Sequence, residues 1–468
     1  MIIQAGHRKV TRMIDANRMS KRSIVVDSNL SSNTLRSRIT VSRDLKKYFK
    51  HLSFFSCYDA DIVANNSILC IPVLSMVLPF AWITGADVHV DELDRTFAES
   101  MNTLQHEYKK MYPGAPFKTR LVADKLVDNK HAPNNTALMF SGGLDSTYSL
   151  FSHLDARPML IMILGTVDTP LSNVAFQKTL EREYSDFAER EGLVLSFIRT
   201  SAPEILDMRR VDHLFWKFKG RLQGGYWNGI GYSLGQIGQV APLSVGRFSH
   251  LLVAGALGRA KAYDERTKAE YPDASYPSTD ETIMWTNIRV RHDGNIPRHQ
   301  KASALKQFLI ARKLKLRPCW YASDLHSQTP QSPRLPALNC NQCPKCLRTI
   351  AELTLAGIDP NKCGFSVERG TFNRIRTLFR RSSLTLQDIA LWWKPLQEAI
   401  RIIPSEIEGD PYGAKRFFEW FKTIELASAA RHGGSPLSNV YHRLPYAIAN
   451  PLRVVWERIP ARPARSTR

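Results

Sequence analysis

The chain has 468 residues, 43% hydrophobic and 23% charged, an ordinary globular balance on a length too great for one typical core, so two or three domains are expected. Its 64 Lys and Arg against 43 Asp and Glu leave a formal charge of +21, which favours nucleotides, RNA, DNA or an acidic membrane surface without choosing among them. The seven cysteines are odd in number, and three crowd into residues 340–346, which argues against a secreted disulfide framework and for a reducing compartment with a metal site.

Residues 1–50 read as a basic N-terminal arm, with twelve Lys and Arg against Asp15, Asp27 and Asp44. Such a run is usually a solvated segment; a nucleic-acid contact is the sharper alternative, and Arg36 to Val41 is expected to pair as an edge strand. The arm holds no apolar stretch of signal-peptide length, so the expected location is cytoplasmic. Residues 51–130 read as an N-terminal α/β extension, either a small domain or the first layer of the core that follows. Its apolar runs Ile68–Leu74 and Met76–Trp82 are broken by Pro72 and Pro79, which favours a buried helix or strand pair over a membrane span. Asp91 to Tyr112 has helical spacing and stops at Pro113-Gly114.

The core region, residues 131–355, opens with the apolar stretch Ala137–Phe140, then Ser141-Gly142-Gly143-Leu144-Asp145-Ser146, then a helix-length segment. Strand, glycine turn and helix in that order make an anion site. The glycines free backbone N–H groups for phosphate oxygens, the helix turns its positive end toward them, and Ser141 and Ser146 add hydroxyls. Asp145 fits such a site if a magnesium ion bridges it to the phosphates. The hexapeptide lacks the lysine of a Walker loop and the spacing of a dinucleotide fingerprint. Further strands are expected at Pro158–Gly165, Leu193–Ile198 and His250–Gly255, with helices at Ala175–Gly192 and Asn228–Val240. Strands alternating with helices imply a doubly wound parallel sheet, with Ser141 to Ser146, Gly165 to Asp168, Thr200 and Gly255 at its carboxyl edge. Arg259 to Lys301 reads as a polar loop over that edge, where Arg298 and Lys301 either offset ligand charge or are plain surface cations.

Cys340, Cys343 and Cys346 form a double C-x-x-C, and Cys319 precedes them by a loop. Four such thiols suit tetrahedral zinc, with an iron–sulfur cluster as the competitor that uses the same ligands. Leu347 to Leu355 is expected to be helical. Residues 356–430 read as a helical appendage whose aromatic residues, Trp392, Trp393, Phe417, Phe418, Trp420 and Phe421, fill its core. Residues 431–468 form a basic tail, Pro- and Arg-rich from Arg443 onward, expected to fray.

The hexapeptide resembles the SGGxDS signature of the PP-loop ATP pyrophosphatases. Together with the metal segment 319–348, which ends in C-x-x-C-x-x-C followed by Arg348, it is similar to the 7-cyano-7-deazaguanine synthase (QueC) family. The long ends make it look more like the enlarged QatC-like members found in bacterial antiphage operons. The resemblance spans roughly residues 136–355. It implies an adenine-nucleotide alpha hydrolase fold, the HUP class, with ATP, magnesium and zinc. ATP would lie on Ser141, Gly142, Gly143, Leu144, Asp145 and Ser146. Asp145, Ser146 and Arg348 would be the catalytic residues, and Cys319, Cys340, Cys343 and Cys346 the zinc ligands. The implied activity is ATP-dependent ligation: a carboxylate, 7-carboxy-7-deazaguanine or a relative, is adenylated and then attacked by ammonia or an amine. Operon-encoded protein partners are expected, a nucleic-acid contact through the basic ends is admitted, and no membrane is. A PP-loop enzyme of tRNA thiolation and a non-catalytic ATP-sensing subunit are the rival readings.

Overall fold

Successive residues of the central strands point into different cores. Ala137, Ile161, Ile198 and Leu251 join one cluster of buried side chains, while Leu138, Leu160, Phe197 and Leu252 join another. A strand that must be apolar on both faces reads as an uninterrupted hydrophobic run, which is how these segments look in sequence. The computed structural model describes residues 22–130, 133–219, 225–255, 263–264, 269–270, 273–294, 296–320, 337–380, 384–385, 388–402, 411–426 and 430–431. Residues 1–21 of the basic arm, Tyr271 and Pro272, and the tail from 432 onward, with the fraying expected from Arg443, lie outside the described residues.

The fold is mixed α/β around a largely parallel sheet. Its strands are β1 (Ser23–Ser31), β2 (Thr34–Val41), β3 (Ser53–Tyr58), β4 (Asp87–Asp94), β5 (Leu121–Val127), β6 (Thr136–Met139), β7 (Met159–Leu164), β8 (Leu195–Thr200), β9 (His250–Ala254), β10 (Met284–Trp285) and β11 (Ile288–Asp293). In space they run β10-β11-β9-β6-β7-β8-β3-β2-β1-β4-β5. β11, β9, β6, β7 and β8 are mutually parallel. β3 joins them antiparallel, pairing Ser56 with Thr200. From β6 the chain proceeds outward through β7 and β8, then returns to place β9 on the other flank. The order therefore reverses between β6 and β9, and the carboxyl ends of those two strands bound the crevice where sheets of this kind bind ligands.

The helices used below are α1 (Ile71–Thr84), α2 (Arg95–Met111), α3 (Leu144–Ser152), α4 (Val174–Arg190), α5 (Met208–Lys219), α6 (Arg298–Ala304), α7 (Lys306–Arg312), α8 (Pro344–Leu355), α9 (Thr371–Arg380), α10 (Lys394–Ile402) and α11 (Ala414–Thr423). Every residue of α1 is buried, and Gly85, left-handed at φ 68°, ends it. A helix apolar on all sides belongs inside a core. Among the described residues no helix is long and apolar enough to cross a membrane.

Three expectations need correction. Residues 22–50 are not a loose arm, and Arg36 to Val41 is not an edge: β1 and β2 are interior strands of the sheet. Ile24, Val26, Leu35, Ile39 and Val41 face the core while Arg36 and Arg38 alternate outward, so a count of charges hides a period-two pattern. Asp91 to Asp94 closes β4 instead of opening a helix, because Asp94 caps α2 by accepting the Phe97 amide at 2.9 Å. Within the expected polar loop, Ile288–Asp293 is a parallel strand beside β9; Arg289 and Arg291 on its outward face mask Ile288 and Val290 on its inner one.

Trp82 of α1 is fully buried, with its ring centroid 5.8 Å from that of Tyr108. Trp82→Ala is expected to cost about 3–5 kcal/mol in chemical denaturation. A loss under about 1 kcal/mol, the size of an ordinary surface change, would mean that α1 does not pack as described.

Candidate functional site

The chain leaves β6 and turns sharply into α3 through the paired glycines. Gly142 has φ 73°, and a Cβ there would lie 2.0 Å from the Tyr184 hydroxyl, so both backbone and packing require glycine. Gly143 is the extended N-cap of α3. The first turn of that helix leaves amides without intrahelical partners, at the positive end of its dipole. Ser141 is exposed. Ser146 is buried, and its hydroxyl is spent on the turn itself: it accepts the Ser141 amide at 3.3 Å and donates to the Gly143 carbonyl at 3.2 Å. Ser146 thus shapes the loop; the exposed Ser141 is tied to it as well, its hydroxyl accepting the Gly143 amide at 3.3 Å and lying 3.2 Å from the Ser146 hydroxyl.

Cationic side chains from three segments converge on this turn. Lys301 donates to Asp145 at 3.0 Å and to the Gly255 carbonyl at 2.8 Å. Arg298 pairs with the other oxygen of Asp145, with both oxygens of Glu352 at 3.2 Å, and with the Thr349 hydroxyl at 3.0 Å. Both cations are buried, which removes the surface reading. Arg317 donates its backbone N–H to the Gly142 carbonyl at 2.7 Å, and its guanidinium donates to the Ser141 carbonyl at 3.1 Å and to Asp168 at 3.0 Å. Arg348 lies 3.8 Å from Glu352 and stacks on Trp392, its guanidinium carbon 4.2 Å from the ring centre. Lys345 sits over the Trp320 ring at 4.6 Å. Arg298, Lys301, Arg317, Lys345 and Arg348 thus meet three carboxylates, those of Asp145, Asp168 and Glu352.

The electrostatics record that excess. Burial opposes ionisation of Asp145, but Arg298 and Lys301 overcome it and hold the carboxyl well below its usual range. Burial likewise opposes Asp168, and Arg317 more than compensates. Lys345 is lowered to about 8, first by burial, with Asp168 opposing and Arg348 and Arg298 reinforcing. Arg348 is lowered to about 10 by burial and then by Arg298. Two buried guanidinium nitrogens, Arg317 Nη1 and Arg348 Nε, have no hydrogen-bond partner among the described residues. A pocket with surplus positive charge, unspent N–H donors and a helix N-terminus fits an anion carrying several oxygens. Each oxygen of Asp145 already holds a cationic side chain, so magnesium at Asp145 competes with Arg298 and Lys301.

Beside the pocket, Cys319, Cys340, Cys343 and Cys346 are buried with their sulfurs within 4.8 Å of one another. Cys319 and Cys343 lie 4.0 Å apart, and Cys340 and Cys346 3.9 Å. A zinc tetrahedron with bonds of about 2.3 Å has edges of about 3.8 Å, so the set fits such an ion. Backbone amides already point at the sulfurs: Cys340 N–H to Cys319 at 3.3 Å, Cys343 N–H to Cys340 at 3.2 Å, and Cys346 N–H to Cys343 at 3.4 Å. Such donors favour thiolates. A bound zinc would join the 314–319 segment, which carries Arg317, to the N-terminus of α8, which carries Lys345 and Arg348; its contribution there is structural.

The structure gathers the Ser141–Ser146 turn, Asp168, Gly255, Arg298, Lys301 and Arg348 into one place. Thr200 stands apart, bonded to Ser56 at 2.8 Å and Gln239 at 3.1 Å. Sequence reasoning missed Arg317, Lys345 and Glu352, although Arg317 lies two residues before the first thiol and Lys345 inside a C-x-x-C. Of the two tryptophans expected in the appendage core, Trp393 is buried there, 5.0 Å from the Phe379 ring, and Trp392 packs half-buried against the same cluster and also carries Arg348. Compared with protein-family models, curated proteins and solved structures, the chain finds no match.

Two outcomes are expected. Elemental analysis of anaerobically purified protein should find about one zinc per chain, lost on changing Cys346 to Ser; the visible absorption of an iron–sulfur cluster would overturn the zinc assignment. Asp145→Asn should destabilise the protein by about 3 kcal/mol, because it leaves Arg298 and Lys301 without their shared counter-charge, and unchanged thermal and denaturant unfolding would contradict that pairing.

Proposed function

We propose that the chain is an ATP-dependent ligase of the 7-cyano-7-deazaguanine synthase type, a PP-loop enzyme that adenylates a carboxylate and passes it to ammonia or an amine. The observation that carries the reading is the convergence of Arg298, Lys301, Arg317, Lys345 and Arg348 on a glycine turn at the carboxyl ends of β6 and β9. ATP is the triphosphate that the sequence resemblance names for such a turn.

In this reading the phosphates rest on the amides of Gly143, Leu144 and Asp145 and on the Ser141 hydroxyl. A carboxylate oxygen of the acceptor attacks the α-phosphorus, the bond from that phosphorus to the bridging oxygen breaks, and pyrophosphate leaves with its electrons. Arg317 and Arg348 offset the charge that gathers on the leaving oxygens. Ammonia or an amine then adds to the acyl carbon, loses a proton and expels AMP. Positioning and charge neutralisation suffice for such phosphoryl chemistry, and no side-chain nucleophile is needed. Magnesium, if it displaces Arg298 and Lys301 from Asp145, would further neutralise the phosphates. The acceptor class is 7-carboxy-7-deazaguanine or a relative, and the enlarged ends fit a protein that works with partners in a bacterial defence operon in the cytoplasm.

The test is incubation with alpha-labelled ATP, magnesium, ammonia and 7-carboxy-7-deazaguanine. AMP and pyrophosphate should form in equal amounts, only with the carboxylate present, and fall by at least about a hundredfold in Arg348→Ala. Release of ADP and phosphate would refute adenylation. ATP bound but unchanged with every acceptor would favour a sensor subunit.

A further inference from the structure

The C-terminal helices lie outside the region that carries the PP-loop resemblance, yet they touch the anion site. A short π-helical turn, Ile389–Trp393, contains two adjacent tryptophans. Trp393 enters the appendage core and is 1% exposed. Trp392 is half-buried at the margin of the same cluster, and its ring carries the Arg348 guanidinium at 4.2 Å. Inserted π turns of this kind redirect side chains and occur often at functional sites. The neighbouring residues hold the turn in place from two more sides. Leu391 packs on Tyr276, with Met111 and Trp392 against the same pair, and α10 packs on α6, the helix that carries Arg298 and Lys301.

Arg348 needs such a support. It is 6% exposed, the carboxylate it pairs with, Glu352, is 3.8 Å away and is shared with Arg298, and its Nε has no hydrogen-bond partner among the described residues. Asp388, at the start of the same turn, adds a favourable charge. A guanidinium satisfied by carboxylates on every side would be tied down as a structural ion pair. One stacked on an aromatic face keeps its N–H edge available, because the ring takes up the cation through its π surface and uses none of the donors.

We infer that Trp392 is a positioning residue for Arg348, so that the C-terminal helical segment completes the anion site. The functional meaning of this inference rests on the triphosphate reading of the pocket. The stacking face of residue 392 matters, and its bulk alone does not. Trp392→Phe retains such a face, whereas Trp392→Leu keeps an apolar side chain of moderate size and removes it.

The experiment has two readouts on the full chain. The first is calorimetric binding of inorganic tripolyphosphate. Trp392→Phe should stay within about twofold of the unaltered protein and Trp392→Leu should weaken by about tenfold, the fold-change expected for losing one desolvated cation–π contact. The second needs no ligand: labelling by the arginine reagent phenylglyoxal, read at Arg348 by peptide mass spectrometry with Arg317 as internal reference. Labelling at Arg348 should rise several-fold in Trp392→Leu and stay near the unaltered rate in Trp392→Phe. Equal labelling of Arg348 in the unaltered protein and Trp392→Leu would overturn the inference. So would equal losses in both variants accompanied by a lowered melting temperature, which would mark a packing role only. If the unaltered protein binds no tripolyphosphate, the triphosphate reading falls, while the Arg348 labelling still decides the role of Trp392.

Discussion

Like charges brought together out of water repel, and the pocket at the end of β6 is built around containing that repulsion. Arg298 lowers Arg348, while Asp145 and Glu352 hold Arg298 itself above its ordinary value, and Lys345 feels both arginines. Glu352, Asp145 and Asp168 offset part of the surplus, each from a different element: α8, α3 and the segment after β7. The remaining positive charge is kept in place by the fold. A cluster of cations that is under-neutralised at rest stores a preference for an incoming anion, and the energy that holds it together is supplied by packing elsewhere.

Much of that packing runs through the four thiols. The segment with Cys319 also carries Arg317, whose backbone and side chain grip the glycine turn, and the helix that starts at Cys343 carries Lys345, Arg348 and Glu352. One ion bound by these sulfurs would therefore fix the register between two cation-bearing segments that are distant in sequence, leaving the chemistry to others. The appendage in turn packs α10 on α6 and Trp392 on Arg348. The cations are thus held between a metal-type clamp and an aromatic platform.

The central strands are legible because burial on both faces makes them continuously apolar, and the turn and thiol motifs are legible because their spacing is local. β1, β2 and β11 are harder to read. Arg36, Arg38, Arg289 and Arg291 occupy their outward positions, so a window average registers charge where alternation is the signal. Arg317, Lys345 and Glu352 are obscure for another reason: a cation's role depends on which carboxylate it meets across the fold, and no spacing encodes the meeting of Arg298 with both Asp145 and Glu352. Trp392 and Trp393 are neighbours of one type with different burial, both inside a π turn that leaves no compositional trace.

The antiparallel seam between β3 and β8 closes a border of the parallel core. A parallel core that stopped at β8 would present a bare strand edge, with unpaired N–H and C=O groups able to recruit any extended peptide, itself included. By stitching Ser56 to Thr200, the strands within residues 23–127 act as a hem on that border. Cutting them away would fray the fabric and invite aggregation, so the additional strands are as much a part of the core's integrity as the helices that cover it.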